Sequence, residues 1–275
     1  MQPDFLLIGA MKCATSTVSA YLENHPDVFM VPRCEPRFFS DDANWSRGAS
    51  WYEALFDAEP DAALRGEGSN DYANLARFPK CAERIKSYRP DLKLIYMVRN
   101  PTKRLRSDWI QRRVDSGDVY PATIAAAIEQ MPEIFVDQGM YWKNLSEYRR
   151  HFPDDQIFIG FMEDLSQDQD HFFAALTDFL GLQPHAPGGL HANPSGAKRV
   201  PTTSFSTVNQ WSWMTTFKAL LPSGFKAAIK DRFFSTDAKT IKMDERIKAQ
   251  LRDLYARDSQ NILEHCGRPT DFWDE

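Results

Sequence analysis

The sequence predicts an α/β fold in three layers, with a central parallel sheet flanked by helices. Two observations predict it. Short and almost wholly apolar runs, typical of strands buried on both faces, recur along the chain. Longer segments with helical patterning lie between these runs, and such alternation is typical of parallel strands joined by helical crossovers. Ligands of such sheets bind at the carboxyl ends of the strands.

The predicted elements follow one another in a regular order. The first helix stops at His25 and Pro26, Pro101 takes the favoured first position of another helix, and Gly181 ends a third. In the last helix, apolar side chains such as Ile247 and Leu251 repeat on one face. The predicted strands are 5–8, 28–31, 92–98 and 156–161. The predicted helices are 16–23, 78–88, one that begins at 101, 141–151, 170–180 and 244–265.

We expect residues 1–275 to form a single domain, because no Pro/Gly/Ser-rich linker, low-complexity tract or repeat divides the chain. The helical pattern lapses from 183 to 203 into a loop, and long loops are often functional. Residues 204–234 carry several aromatic residues, including Trp211 and Trp213, that suit helices covering a site or the core. We therefore expect 183–240 to form a late loop and a helical cover.

Composition excludes several classes of protein. The chain is 43% hydrophobic and 26% charged, as in ordinary globular proteins. Its formal net charge of -5 argues against a general affinity for nucleic acid. We see no signal peptide and no apolar run long enough to span a bilayer, and the four cysteines lack metal-site or redox spacing. These features predict a cytoplasmic protein with reduced thiols.

The segment that follows the first strand has the composition of an anion-binding loop. Gly9 frees the backbone to turn, and Lys12 precedes a run of small and hydroxylated residues. Backbone N–H groups and the hydroxyls of Thr15, Ser16 and Thr17 can converge on a phosphate at the helix N-terminus. The loop is P-loop-like, but the nucleoside triphosphate motif places Gly-Lys-Ser/Thr at the helix start, which this chain lacks. The alternative is an ordinary turn with a surface lysine.

A second basic region follows the strand at 92–98. Arg99 stands at the carboxyl end of that strand, where a guanidinium can grip a phosphate through two hydrogen bonds. Ser107 lies two turns along the next helix and can add a hydroxyl. The remaining arginines of this helix are expected to form a solvated face with intrahelical ion pairs; they are Arg104, Arg106, Arg112 and Arg113.

These two regions together resemble the sulfotransferases that use 3′-phosphoadenosine 5′-phosphosulfate, PAPS. Residues 8–16 resemble the 5′-phosphosulfate loop of that family, and residues 98–101 with Arg104 and Ser107 resemble its 3′-phosphate motif. Residues 139–141, 161–165 and 179–182 are similar to its bacterial and heparan-modifying branches. The loop at 193–199 resembles the family loop that closes on the nucleotide.

The resemblance implies PAPS as co-substrate and adenosine 3′,5′-bisphosphate, PAP, as product, with no metal. Lys12 would stabilise the leaving phosphate, and Arg99 with Ser107 would hold the 3′-phosphate. The 5′ loop would comprise Lys12, Cys13, Ala14, Thr15, Ser16 and Thr17, and the closing loop Ser195, Gly196, Ala197, Lys198 and Arg199. Cys13 could have its pKa lowered by the helix N-terminus, or could simply fill the loop.

The resemblance also supplies a candidate general base. Residues 33–39 resemble the Lys-Glu-Pro-x-Phe-Phe segment of heparan-type enzymes, whose glutamate corresponds to Glu35 here. Glu35 would accept the proton of the acceptor hydroxyl. His25 is the rival, although its place before Pro26 suggests a structural role. Phe38 and Phe39 are expected in the core or in the acceptor-pocket wall.

The chain departs from the family pattern at three positions. Ala14 stands where many relatives have glycine, Cys34 replaces a lysine for which Arg33 could substitute, and Gly68 occupies the position of another lysine. The missing charge at 68 disfavours heparan itself as the acceptor. A hydroxyl on a glycan, lipid, polyketide or phenol is compatible with the sequence, which does not choose among them.

Two other functions remain open at this stage. A nucleotide kinase or other phosphotransferase would need Gly-Lys-Ser/Thr and a magnesium carboxylate, and the loop fails the first requirement. A non-catalytic nucleotide-binding protein would keep the anion loop without the chemistry. The presence of Lys12, Glu35, Arg99 and Ser107 together favours the enzyme.

Overall fold

The structure is a computed structural model that describes residues 1–32, 35–59, 61–185, 199–201, 235–237 and 241–274. The chain divides into two compact units. The first comprises Met1–Arg104, Asp137–Ala192 and Leu254–Glu275, and the second comprises Leu105–Val136 and Asn193–Asp253. In the described parts of the chain, no helix has the length and apolar character needed to cross a membrane.

A five-stranded parallel sheet forms the centre of the first unit, with the strand order β2-β3-β1-β4-β5. β1 lies in the middle because its residues are almost wholly apolar and are at most 1% exposed where they face the core. The strands are β1 (Phe5–Gly9), β2 (Val28–Met30), β3 (Leu64–Gly68), β4 (Lys93–Val98) and β5 (Ile157–Phe161). The predicted α/β class with helices flanking a parallel sheet is therefore confirmed.

The predicted helices lie close to their predicted positions, but five shorter helices were not predicted: Asp42–Trp45, Ala49–Ala54, Ile124–Gln130, Pro132–Phe135 and Met162–Gln167. Asp168 caps one of the predicted helices by accepting a hydrogen bond from the His171 N–H at 3.0 Å, and Gly181 ends it with a φ of 78°. The helices are α1 (Thr15–Glu23), α2 (Asp42–Trp45), α3 (Ala49–Ala54), α4 (Cys81–Tyr88), α5 (Pro101–Ser116), α6 (Ile124–Gln130), α7 (Pro132–Phe135), α8 (Tyr141–Arg149), α9 (Met162–Gln167), α10 (Gln169–Leu180) and α11 (Glu245–His265).

The second unit includes α6, α7 and a short antiparallel pair of strands, β6 (Arg199–Pro201) and β7 (Ser235–Asp237). Thr123 caps α6, because its side-chain oxygen accepts a hydrogen bond from the Ala126 N–H at 3.2 Å. Most of the predicted loop and cover at 183–240 lies outside the described residues. That assignment and the single-domain assignment stay predictions.

Sequence reasoning missed β3, which lies between β1 and β2. Its five residues include two glycines, an arginine and a glutamate, so it has neither an apolar run nor an alternating pattern. Packing explains Gly66, which pairs with Phe5: a Cβ at this position would lie 2.2 Å from the Phe5 ring. The close packing of this segment against β1 therefore explains why it forms a strand, whereas the β-propensity of its own residues does not.

We expect Gly66→Ala to destabilise the protein by about 1–3 kcal/mol, because the new methyl group would overlap the Phe5 ring. Urea unfolding measures the change. Phe5→Leu removes the ring atoms, so the double variant should lose at least about 0.5 kcal/mol less than the sum of the single losses. Additive losses would show that the Phe5 contact does not select glycine.

Candidate active site

The loop between β1 and α1 has an unusual backbone. Gly9 has a φ of 124°, and a Cβ there would lie 3.0 Å from both the carbonyl oxygen of Asn70 and the Cβ of Ala73. Lys12 and Ala14 are both left-handed, with φ values of 71° and 63°. A left-handed conformation costs an L-residue about 1 kcal/mol, whereas glycine adopts it freely. This explains why glycine suits the position of Ala14 in the family that the sequence resembles.

This backbone leaves the N-terminus of α1 open. Ala14 is the N-cap residue and makes no side-chain hydrogen bond to the helix. The first N–H groups of any helix lack an intrahelical acceptor, and they lie at the positive end of the helix dipole. The loop can therefore act as an anion cradle, with the Lys12 backbone held beside it.

The residues of the predicted 5′ loop have different environments. The side chain of Thr15 is 7% exposed and that of Ser16 is exposed, and both residues line the same cleft. The N–H of Thr17 donates to the Ala14 carbonyl at 3.0 Å, which closes the first turn of the helix. Of the three hydroxyl residues of the predicted loop, Thr15 and Ser16 line this cleft, and a ligand contact by Thr17 stays a prediction.

Cys13 does not have the environment of an activated thiol. Its side chain is fully buried, with Sγ 3.5 Å from the Tyr141 hydroxyl, and its N–H donates to the Ala10 carbonyl. Burial raises the pKa of the Cys13 thiol to about 11, although the Tyr141 hydrogen bond lowers it. The structure therefore favours the second interpretation of Cys13, a small side chain that fills the core behind the loop.

Arg99 links the carboxyl end of β4 to the loop after β1. One guanidinium nitrogen donates to the Lys12 carbonyl oxygen at 3.2 Å. Its Nε is buried and has no hydrogen-bond partner among the described residues. Arg99 as a whole is partly exposed, so the outer part of its guanidinium can meet an anionic ligand beside the loop.

The residue after Arg99 is anchored from two directions. The N–H of Asn100 donates to a carboxylate oxygen of Glu163 at 2.9 Å, and its side-chain amide donates to the Trp273 carbonyl at 2.7 Å. Glu163 lies at the start of α9 and Trp273 near the end of the chain. Glu163, from a segment that resembles the family, and Trp273 thus fix the direction in which β4 delivers Arg99.

Two of the arginines on α5 are not the solvated residues that the sequence predicts. Arg104 is fully buried and donates to the side-chain oxygen of Gln138 at 3.2 Å. Arg113 is 1% exposed and donates to the carbonyl oxygens of Gly117 at 2.6 Å and Tyr120 at 2.9 Å. Both bind polar groups of neighbouring segments, because a buried guanidinium needs acceptors.

The other two α5 arginines also have defined partners. Arg112 forms the expected intrahelical ion pair with Asp108, at 2.8 Å. Arg106 instead donates to the Ile241 carbonyl oxygen at 2.6 Å. Ser107 lies on the same helix and is partly exposed. The closing-loop residues Ser195, Gly196, Ala197 and Lys198 lie outside the described residues, and Arg199 is described only as the first residue of β6.

An open cleft of about 360 Å³ lies beside the anion cradle. Thr15 and Ser16 line it from α1, and Glu35, Gly68 and Asn70 also line it. Its remaining lining residues are Leu7, Ser19, Ala20, Glu23, Met30 and Val31. The cleft therefore brings the predicted base and the predicted phosphosulfate loop to one cavity.

The Glu35 carboxylate is held by neighbouring side chains. The Asn70 side-chain amide donates to one of its oxygens at 2.5 Å, and the Arg37 Nε lies 3.8 Å from the other. The guanidinium of Arg37 also contacts Asp71 at 2.7 Å. Because the Glu35 side chain is 36% exposed, it keeps access to a molecule in the cleft.

Sequence reasoning did not single out Glu67, a buried carboxyl group on β3. It is fully buried on β3, where its oxygens accept hydrogen bonds from Tyr52 at 3.1 Å and Ser69 at 2.9 Å. Burial raises the pKa of the Glu67 carboxyl to about 7; these hydrogen bonds lower it, and the Glu35 charge raises it. A glutamate in the middle of a strand would have indicated a buried carboxyl group. This signal could not be used, because β3 was not predicted.

His25, the rival candidate for the base, has a structural role as the sequence suggested, and Phe38 and Phe39 belong to the core. His25 is 3% exposed; its Nδ1 accepts from the Asp27 N–H, and its Nε2 lies 3.0 Å from the Gln183 carbonyl oxygen. Phe38 and Phe39 are buried to 1% and 0% exposure. In the part of the chain that the structure describes, no cluster of His, Cys, Asp or Glu could hold a metal ion.

The fold and this loop define a class of α/β protein that binds an anion at the carboxyl ends of its central strands. Comparison with known proteins gives the family: the sulfotransferase domain matches residues 2–208. The chain therefore belongs to the sulfotransferase domain family. A crystal structure of a sulfotransferase from Alicyclobacillus acidocaldarius has a similar fold, with a TM-score of 0.71, 20% identity and complete coverage of both chains.

The sequence is similar to those of curated heparan sulfate sulfotransferases, over shares of the chain that differ from one relative to another. Heparan sulfate glucosamine 3-O-sulfotransferase 3A1 of Mus musculus is 28% identical over 99% of this chain and 64% of its own length. Heparan sulfate glucosamine 3-O-sulfotransferase 3B1 of Homo sapiens is 30% identical over 66% of this chain and 46% of its own length. The chain thus spans about half to two thirds of the length of these relatives.

We expect Glu67 to make stability depend on pH. Its pKa is about 7 in the folded protein against 4.5 as the ordinary value, so the folded state binds the proton more tightly. The free energy of unfolding should therefore fall as pH rises from about 4.5 to about 7, by at most about 3 kcal/mol. Urea unfolding of the wild type and of Glu67→Gln across this pH range tests the expectation. If the free energy of unfolding changed with pH equally in both proteins, the raised pKa of Glu67 would be contradicted.

Proposed function

We propose that this protein is a PAPS-dependent sulfotransferase that transfers the sulfuryl group to an acceptor hydroxyl, with Glu35 as general base. One observation carries the proposal: Thr15 and Ser16 of the anion cradle and the Glu35 carboxylate line the same cleft. A phosphosulfate held at the cradle would therefore face a carboxylate across a space that an acceptor can enter. Membership of the sulfotransferase family supports PAPS as the donor.

Residues of the first unit can hold the two ends of the donor. The open N-terminus of α1, with the Thr15 and Ser16 hydroxyls, suits the 5′-phosphosulfate. Arg99, a partly exposed guanidinium that contacts the loop at the Lys12 carbonyl oxygen, suits the 3′-phosphate. Ser107 and the closing loop from Ser195 to Arg199 are proposed to bind the 3′-phosphate as well. This part of the proposal rests on the family resemblance alone.

The chemistry needs a base and positive charge on the leaving group. Glu35 accepts the proton of the acceptor hydroxyl as its oxygen bonds to sulfur. The bond between sulfur and the 5′-phosphate oxygen breaks, and that oxygen keeps the electron pair in the product PAP. Lys12, on the loop beside the cradle, offsets the charge that develops there.

The acceptor is proposed to be less anionic than a heparan chain. The named activity of the curated relatives is 3-O-sulfation of heparan sulfate glucosamine, so a sugar hydroxyl is one member of the proposed class. In this chain Gly68 leaves the cleft without a side chain at that position, and Glu23 and Glu35 place carboxylates along it. A polyanion would meet repulsion from these carboxylates.

A cytoplasmic location is also part of the proposal. Cys13, Cys81 and Cys266 are free thiols in the structure. Burial raises the pKa of each of them, so the neutral thiol form is favoured. Buried thiols of this kind suit a reducing compartment.

We expect PAP to bind more tightly than ADP or ATP in calorimetry without magnesium, because the cradle and Arg99 together match a nucleotide with phosphates on both sides of its ribose. Preference for ATP would favour the phosphotransferase alternative.

Arg99→Ala should weaken PAP binding by about 2–5 kcal/mol, the range for removing one partner of a buried charge pair. Arg150→Ala is the control, since Arg150 is exposed and pairs with Glu147. Equal losses in the two variants would contradict the 3′-phosphate assignment.

We expect Glu35→Gln to lower sulfuryl transfer by about 10²–10⁴-fold while PAP affinity stays within about twofold, because the base acts on the acceptor and not on the nucleotide. Glu83→Gln, an exposed carboxylate on α4, is the matched control. Radiolabelled PAPS with a panel of neutral and anionic hydroxyl acceptors gives the readout. Full transfer by Glu35→Gln would refute the base assignment.

We expect Lys12→Ala to lower turnover by about 10²–10³-fold, the range for removing one group that stabilises developing negative charge. The same acceptor panel measures the rate, and calorimetry measures PAP affinity. Lys143→Ala is the control, because this lysine is 63% exposed and pairs with Asp137. Unchanged turnover in Lys12→Ala would remove Lys12 from the mechanism.

A further inference from the structure

We propose that Glu67 is a positioning residue for the base: through Ser69, its carboxylate holds the backbone at Arg37 and so aims Glu35 into the cleft. The inference rests on the proposed function for the role of Glu35. It concerns a buried carboxyl group that the sulfuryl transfer itself does not use. Three hydrogen bonds, two ion pairs of Arg37 and one left-handed backbone position carry it.

The first link runs from Glu67 to Ser69. The Ser69 hydroxyl donates to the Glu67 Oε2 at 2.9 Å, and both side chains are fully buried. An ionised carboxylate can only accept hydrogen bonds, so it fixes the single Ser69 proton on its own side. The lone pairs of the Ser69 oxygen then face elsewhere.

The second link runs from Ser69 to the segment that carries Glu35. The Ser69 oxygen accepts a hydrogen bond from the Arg37 N–H at 3.1 Å. Arg37 has a φ of 52°, a left-handed conformation that an arginine adopts only when its surroundings hold it. The oriented Ser69 oxygen supplies such a constraint two residues after Glu35.

Side-chain contacts complete the hold on Glu35. Asn70, next to Ser69, donates to the Glu35 carboxylate at 2.5 Å. Arg37 lies 3.8 Å from the other oxygen of Glu35 and pairs with Asp71 at 2.7 Å. The turn at 69–71 and the segment 35–37 therefore contact each other through both backbone and side chains, and Glu67 lies behind this contact.

The charge on Glu67 governs the first link. Protonated Glu67 gains a hydrogen to donate, so Ser69 no longer has to direct its own proton toward the carboxyl group. The ionisable groups that act on Glu67 are Tyr52 from α3, Tyr72 from the turn after β3, Cys81 from α4 and Glu35 from the segment after β2. Burial raises the Glu67 pKa to about 7, so the change of state falls near neutral pH.

The test is amide hydrogen exchange at Arg37, which needs no acceptor substrate. Isotope-labelled arginine makes the Arg37 amide visible by NMR, and Arg37→Lys assigns its signal. In the wild type we expect protection to rise as pH increases through about 7. Glu67→Gln should lower protection at pH 8 by at least about tenfold and should remove the pH-dependent step. Ser69→Ala should lower protection likewise, because it removes the acceptor.

Tyr52→Phe is the matched variant. It removes the hydrogen bond to the other oxygen of Glu67 and leaves Ser69 and Arg37 in place. Since that bond lowers the Glu67 pKa, its loss should move the step in Arg37 protection to higher pH without abolishing it. A purely structural role for Glu67 predicts no such movement.

The outcomes separate this inference from the proposed function. Wild-type Arg37 protection in Glu67→Gln at pH 8, or an unmoved step in Tyr52→Phe, would overturn the positioning role. PAP calorimetry on each variant reports folding of the donor site, and affinity within about twofold of wild type is expected. If the wild type did not bind PAP, the assignment of PAPS as donor would be overturned. The hydrogen-bond path from Glu67 to Arg37 would still be decided by the amide exchange measurements.

Discussion

The left-handed turn between β1 and α1 is the constraint on which the rest of the site depends. With Lys12 and Ala14 both at positive φ, the chain reverses quickly enough to leave the N-terminus of α1 open at the carboxyl end of the central strand. The Lys12 carbonyl, exposed by the same turn, accepts a hydrogen bond from Arg99 at the end of β4. One local conformation thus brings the Arg99 guanidinium, the Lys12 backbone and the positive end of a helix dipole to one edge of the sheet.

The features that the sequence predicts well are those with strong local signals. The run at 92–98 is strongly apolar, and the structure has β4 at Lys93–Val98; α5 begins at Pro101, as the position of that proline predicts. The anion loop was also visible, because its glycine, lysine and hydroxyl residues follow a buried strand. Glu35 is proposed as the base only through the resemblance, since a glutamate after a strand carries no local signal of catalysis.

The features that the sequence does not predict depend on partners distant in the chain. β3 exists because Gly66 can approach Phe5 closely, which no propensity of its own five residues indicates. Arg104 is buried because Gln138 accepts its hydrogen bond, although a helix rich in charge favours an exposed face. Cys13 is inert because Tyr141 and the core enclose it, a contact over 128 positions.

The two glutamates near the cleft show how environment separates two identical side chains. Glu35 is partly exposed and held by Asn70, so its carboxylate stays accessible to a molecule in the cleft. Glu67 is enclosed, and burial raises its pKa although hydrogen bonds from neighbouring side chains favour the charge. A glutamine or an apolar residue would avoid this desolvation, so a buried carboxyl at this position costs stability above neutral pH. Buried ionisable groups cluster at functional sites, where their charge orders neighbouring residues. The hydrogen bonds from Glu67 through Ser69 to Arg37 give that charge a physical effect at the proposed base.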